Sequence, residues 1–120
     1  METPKPSNSN DILLRLLSAS ELRARVISAN IANQNTPGYT RQEVRFEDAL
    51  REAVASGSKL KGLQPEIIQD TITPARPDGN NVNLELELNA LRENRILFET
   101  YATIMQGRTT LKDIAVSGGR

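Results

Sequence analysis

Ser28-Ala29-Asn30-Ile31-Ala32-Asn33-Gln34-Asn35-Thr36-Pro37-Gly38-Tyr39 is the stretch on which the reading of this chain turns. Its first residues continue a run of helix formers. Its last four cannot. Pro37 disfavours a helical Thr36, and Pro-Gly sets the centre of a type II turn, with Gly38 at the position that needs a positive φ. Asn is a mediocre helix residue, yet Asn30 and Asn33 lie three apart, on one face at the helix end. Their amides suit backbone groups left unpaired where a helix stops. The segment therefore predicts a capped helix end followed by a fixed bend.

Working back from the bend, the pattern predicts one helix over residues 11–35. Asn10 is a suitable N-cap, and Asp11 favours the positive end of the helix dipole. Leu13, Leu17, Ser20, Ala24, Ile27 and Ile31 repeat at alternating spacings of four and three, as in a coiled-coil seam. Ile12, Leu16, Ala19 and Val26 make a second, weaker stripe. Residues 1–10, rich in Pro, Ser and Asn, have almost nothing to bury and are expected to be a disordered tail.

Working forward, residues 36–80 read as the turn and a short, irregular or weakly β middle region. Val44, Phe46 and Leu50 suggest an extended piece leading into a helical turn, and Glu66 to Ile72 suggests a short strand. A second long helix is expected over 81–116, capped by Asn81 or Asn83, with Glu85 and Glu87 at its dipole-favoured start and a tail over 117–120. Two apolar stripes run along it. One passes through Leu84, Leu88, Leu91, Arg95, Phe98, Ala102 and Met105, the other through Leu97, Tyr101, Ile104, Arg108, Leu111 and Ala115. A helix packed on one partner needs one stripe. The second is expected to be a subunit interface, with Leu97, Tyr101, Ile104 and Leu111 as its packing residues.

The composition removes classes of chemistry. The 120 residues contain no His, Cys or Trp. The commonest general base, the commonest metal ligand, thiolate nucleophiles and disulfides are all missing. Lys+Arg and Asp+Glu are 15 each, so the basic excess of a nucleic-acid binder is absent as well. Glu47-Asp48 and Glu85/Glu87 are the only close acidic pairs, and they read as solvated helix starts. Asp78-Gly79-Asn80-Asn81 lacks the register of a calcium loop. No catalytic, cofactor-binding or metal residue is assigned. The N-terminus lacks the basic and apolar regions of a signal peptide, and no apolar run approaches the ~18 residues needed to span a bilayer.

Positions 29–39, Ala-Asn-Ile-Ala-Asn-Gln-Asn-Thr-Pro-Gly-Tyr, resemble the N-terminal signature of the bacterial flagellar axial proteins. Residues 78–116 (DGNNVNLELELNALRENRILFETYATIMQGRTTLKDI, with Val82 and Glu87 after Asp78-Gly79-Asn80) are similar to the end of a short subunit of the flagellar basal-body rod family. Thr40-Arg41-Gln42 looks more like a hook-associated protein. A second type of short rod subunit, a hook-associated fragment and a non-flagellar helical adaptor are the alternatives.

The resemblance implies a mainly α fold, with the two terminal helices paired as an antiparallel coiled-coil-like hairpin. Leu13, Leu17, Ala24, Ile27 and Ile31 would then face Leu84, Leu88, Leu91 and Phe98. Asn30, Asn33, Thr36, Pro37, Gly38 and Tyr39 would fix the bend. It implies a structural rod subunit without enzyme activity or cofactor, partnered by copies of itself, other rod proteins, the rod-base adaptor FliE and the export gate. No nucleic acid or small-molecule substrate is expected. The implied location is the periplasmic rod, reached through the flagellar type III apparatus without a cleaved signal.

Overall fold

The string before the bend folds as α1, Ser9–Ala32. The structure is a computed structural model that describes residues 9–57, 60 and 62–118. Because α1 begins at Ser9, Asn10 lies inside its first turn rather than capping it, and Asp11 is spent on Arg15 one turn on, at 3.4 Å. The rest of the expected tail falls outside the described residues.

After the bend come β1 (Gln42–Arg45), α2 (Glu47–Ala55), β2 (Glu66–Gln69) and α3 (Leu84–Ser117). The extended piece and helical turn expected after the bend are β1 and α2. β1 and β2 pair antiparallel, from Gln42 opposite Gln69 to Arg45 opposite Glu66. A two-stranded ribbon is marginal by itself. Here β1 packs on α1 and buries Val44.

α1 serves two partners with its two stripes. Ala19, flanked by Ile12 and Leu16, packs into a cluster with Phe46, Leu50 and Leu60. Phe46 is 2% exposed, and burying such a side chain contributes about 2–3 kcal/mol. The other stripe, with Leu13, Ser20 and Ile27 buried, turns toward α3. The hairpin is antiparallel: Asn30 of α1 bonds Glu87 of α3 at 3.2 Å, and Asn94 Nδ2 donates to the Ser20 carbonyl at 2.8 Å.

α3 has 34 residues, roughly 51 Å at 1.5 Å per residue, against roughly 36 Å for the 24 residues of α1. It outruns its partner, and from Gln106 to Gly118 every residue is exposed. Its N-cap is Asn83, whose side chain accepts from the Leu86 amide.

The seam on α3 departs from the sequence expectation. Leu84 and Leu88, expected to pack within the chain, are 40% and 36% exposed. The buried positions are Glu87 and Asn94, two turns apart, flanked by half-buried Leu91, Phe98, Tyr101, Ala102 and Met105. The contact line thus runs between the two apolar stripes and borrows from each. Hydrogen bonds set this rotation: Glu87 and Asn94 both have fixed partners, and turning Leu84 and Leu88 inward would break them.

Candidate functional site

The bend is built as its residues dictate. The Tyr39 amide donates to the Thr36 carbonyl at 3.2 Å, and Gly38 has φ +76°, the geometry of a type II turn. Asn33 closes the helix end, donating to the Ala29 carbonyl at 2.8 Å and accepting from the Thr36 hydroxyl at 3.1 Å. Pro37 is exposed at the tip. Asn30, fully buried, uses both ends of its amide. Its oxygen accepts from Tyr39 and from the Gln42 amide at 3.0 and 2.9 Å, and its nitrogen donates to the Gln42 carbonyl at 2.9 Å and to Glu87. One asparagine therefore joins α1, the turn, β1 and α3.

The start of α3 reaches back to the same place. Asn80 Nδ2 sits among the carbonyls of Asn33, Gln34 and Thr36 at 2.8, 3.2 and 2.9 Å, acting as a cap for α1 delivered from 47 residues away in sequence. Arg76 adds a bond to the Gln34 carbonyl at 2.7 Å. Asn81 accepts from the Arg41 amide at 2.7 Å and donates to the Asp70 carbonyl at 2.8 Å.

Arg41 stands at the centre. It donates to Glu87 and Asp70, each at 2.7 Å, and also to Glu43. Burial works against its charge, but the bonds to Glu87, Asp70 and Glu43 outweigh that and raise its pKa further. Asp70 is held well below the usual carboxylate range by the Thr73 hydroxyl and amide and by Arg41. The Tyr39 phenol is pushed up, by burial and by the nearby charge of Glu87. At the far side of α1, Arg23 grips Glu47 with two bonds of 2.7 Å. Burial opposes ionisation of Glu47, but the Arg23 pair wins and lowers its pKa. Glu47 and Glu87 thus each have an arginine partner fixing a segment. The arrangement joins segments, with its acids and bases turned on one another.

The sequence reading placed Asn30, Asn33 and the turn at the bend, and the structure brings them together with Tyr39. It missed Arg41, Asp70, Asn80, Asn81 and Glu87 as parts of the same junction. A signal was present: asparagines crowd both helix ends, at 30–35 and at 80–83. The second set of residues lies elsewhere. Leu97, Ile104 and Leu111 are 36%, 45% and 67% exposed along one flank of α3, while Tyr101 is half-buried against the seam.

Comparison with known proteins bears on this junction. The family described as flagella basal body rod protein matches residues 17–40, the last two-thirds of α1 and the bend. The flagellar basal body rod protein FlgB of Aeromonas hydrophila is 30% identical over 105 residues, covering 77% of this chain and 80% of its own. This chain belongs to the FlgB family of flagellar basal body rod proteins. FlgB of Borrelia hermsii is 29% identical over 116 residues, covering 80% of this chain and 86% of that one, and FlgB of Bacillus subtilis is 25% identical, covering 87% and 89%. These alignments extend well beyond the bend, so the FlgB likeness is not carried by that segment alone. The sequence reading ranks a FlgB-like subunit above a FlgC-like one, and the relatives named here carry the FlgB name. No helix among the described residues is long and apolar enough to cross a membrane.

Proposed function

We propose that this member of the FlgB family works by packing alone, as a structural subunit of the proximal flagellar rod that is completed by its neighbours and carries out no catalytic step. One observation carries this reading. Leu84, Leu86, Leu88, Ile96, Leu97, Ile104, Leu111, Ile114 and Val116, all on α3, are exposed large apolar side chains. A monomer gains nothing from such a helix, whereas a subunit in a tube buries it. Its partners on this reading are further copies and other rod proteins, with the adaptor FliE and the export gate at the rod base. Its location is the periplasmic rod, and its route is type III export without a cleaved signal. The junction around Asn30 and Arg41 then has a mechanical task. It fixes the angle between the hairpin and the middle region, so that every subunit presents the same shape to the next.

The test is complementation. The chain, expressed in a strain lacking its own rod subunit, should restore rods and swimming. Normal expression and folding of the chain but no rods in that strain would refute the assignment. A role confined to packing predicts that Glu85→Gln, at an exposed carboxylate, leaves swimming intact.

A further inference from the structure

The two flanks of the hairpin differ in shape. On one side, Ser20 and Ala24 of α1 and Leu91, Asn94 and Phe98 of α3 line a groove of about 330 Å³, with Glu21 and Arg95 on its rim. The small α1 residues leave it open. Asn94, 4% exposed, lies in its wall, with its Oδ1 buried behind the apolar lining and without a hydrogen-bond partner among the described residues. A buried acceptor without a donor is costly, and native chains rarely leave one. On the other side, Leu97, Ile104 and Leu111 recur every seven residues and form a ridge. By helical geometry, groove and ridge flank the α1 contact roughly a quarter-turn to either side.

Charge matches as well as shape. Arg108 follows Ile104 by one turn on the ridge, is exposed and has no ion pair among the described residues. Glu21 on the groove rim is likewise exposed and without an ion pair among those residues. Area is sufficient too. A flank two helices wide over at most the roughly 36 Å of α1 offers on the order of 700–800 Å², close to the share each partner contributes to a standard interface.

We infer that the α3 ridge of one copy seats in the α1–α3 groove of a second copy, with Ile104 entering the groove and Arg108 facing Glu21 on its rim. The two surfaces are different, so the contact is heterologous. The copy at one end keeps a free ridge and the copy at the other a free groove, so the assembly is open-ended rather than a closed dimer. This rests on the rod reading and names which faces meet.

The test is a pair of charge reversals on the full chain, read by analytical ultracentrifugation. The wild-type chain should grow past the dimer as concentration rises. Glu21→Arg and Arg108→Glu should each weaken self-association, roughly tenfold. Mixed in equal amounts they should recover wild-type association, because every groove then meets a ridge of opposite charge. Ile104→Glu should remain a monomer, alone and in the mixture. Both charge sites are exposed, so helicity by circular dichroism should be unchanged. Singles that associate like wild type, a mixture no stronger than its components, a closed dimer, or a wild-type chain that stays monomeric at millimolar concentration would each overturn the inference. The rod reading is decided separately: wild-type chain that restores swimming while the variants associate normally leaves that reading standing and removes only this contact.

Discussion

Gly38 and Gly79 meet backbone to backbone. The Gly38 amide donates to the Asp78 carbonyl at 2.8 Å, and a Cβ built on Gly79 would stand 3.2 Å from the Gly38 Cα. Both residues have positive φ, +76° and +84°. The turn that ends α1 and the turn that precedes α3 are therefore one contact, made where neither chain carries a side chain.

The two glycines should respond differently to substitution. A Cβ on Gly38 meets nothing within 4 Å, so Gly38→Ala incurs only the left-handed backbone strain, about 1–2 kcal/mol. Gly79→Ala adds crowding against Gly38 and should lose more, by about 1 kcal/mol. Urea unfolding of both variants measures the difference. Equal losses would show that the backbone contact contributes nothing. Gly38→Val should also impair swimming, since a misset bend alters the shape every subunit presents.

Among the described residues, Arg41 is the single cation paired with Glu43, Asp70 and Glu87, and Glu87 is 1% exposed. Removing Arg41 leaves a carboxylate buried without its counter-charge, whereas Glu87→Gln keeps the hydrogen-bonding shape. Arg41→Met is expected to lose about 3–5 kcal/mol and Glu87→Gln about 1–2 kcal/mol. Hydrogen exchange should show the β1–β2 ribbon and the start of α3 opening together in the Arg41→Met protein, because one guanidinium ties both. Independent opening of the two would count against the junction as a unit.

The long elements were legible because their residues obey local rules. Pro37-Gly38 ends α1, Asn83 caps α3, and the four-three spacing of Leu13, Leu17, Ser20, Ala24 and Ile27 marks a seam. The rotation of α3 was not legible. Leu84 and Leu88 fit an apolar period better than Glu87 and Asn94 do, but Glu87 is drawn inward by Arg41, 46 residues away, and Asn94 by the Ser20 carbonyl, 74 residues away. Periodicity counts apolar side chains and is blind to a polar group whose partner comes from another segment. The same blindness hid Asn80, which reads as a turn residue and acts as a cap on a distant helix.

Asp70 makes stability depend on pH. Its pKa is depressed in the native protein, so its contribution is present in full above the ordinary aspartate value, about 4, and is lost as pH falls from there through the lower native value. Glu47, also depressed, adds in the same direction. Stability should therefore drop steeply below about pH 4, and Asp70→Asn should flatten that limb while lowering stability at neutral pH. Tyr39 acts at the other end. Its raised pKa favours the neutral phenol, so its contribution is complete below about pH 10 and is lost as pH rises through the native value. Tyr39→Phe should remove that alkaline loss. Acid denaturation profiles that superimpose for wild type and Asp70→Asn would refute the assignment.

Asn94 is the place where stability and assembly should separate. Its Nδ2 is satisfied by Ser20, but its Oδ1 is buried with no donor among the described residues. In the isolated chain, replacing it by Leu removes that unmet acceptor and fills an apolar wall between Leu91 and Phe98. The loss of one bond to a carbonyl offsets part of the gain. A net gain of about 1 kcal/mol is expected, or roughly 3–5 °C in melting temperature for a chain of 120 residues. Self-association should not follow, because Oδ1 is closed off from the groove and an arriving Arg108 meets Glu21 on the rim in either protein. A variant that melts higher and associates like wild type is the expected outcome, measured by calorimetry and ultracentrifugation on the same sample. A residue that only locked the register of the hairpin would lose melting temperature and association together.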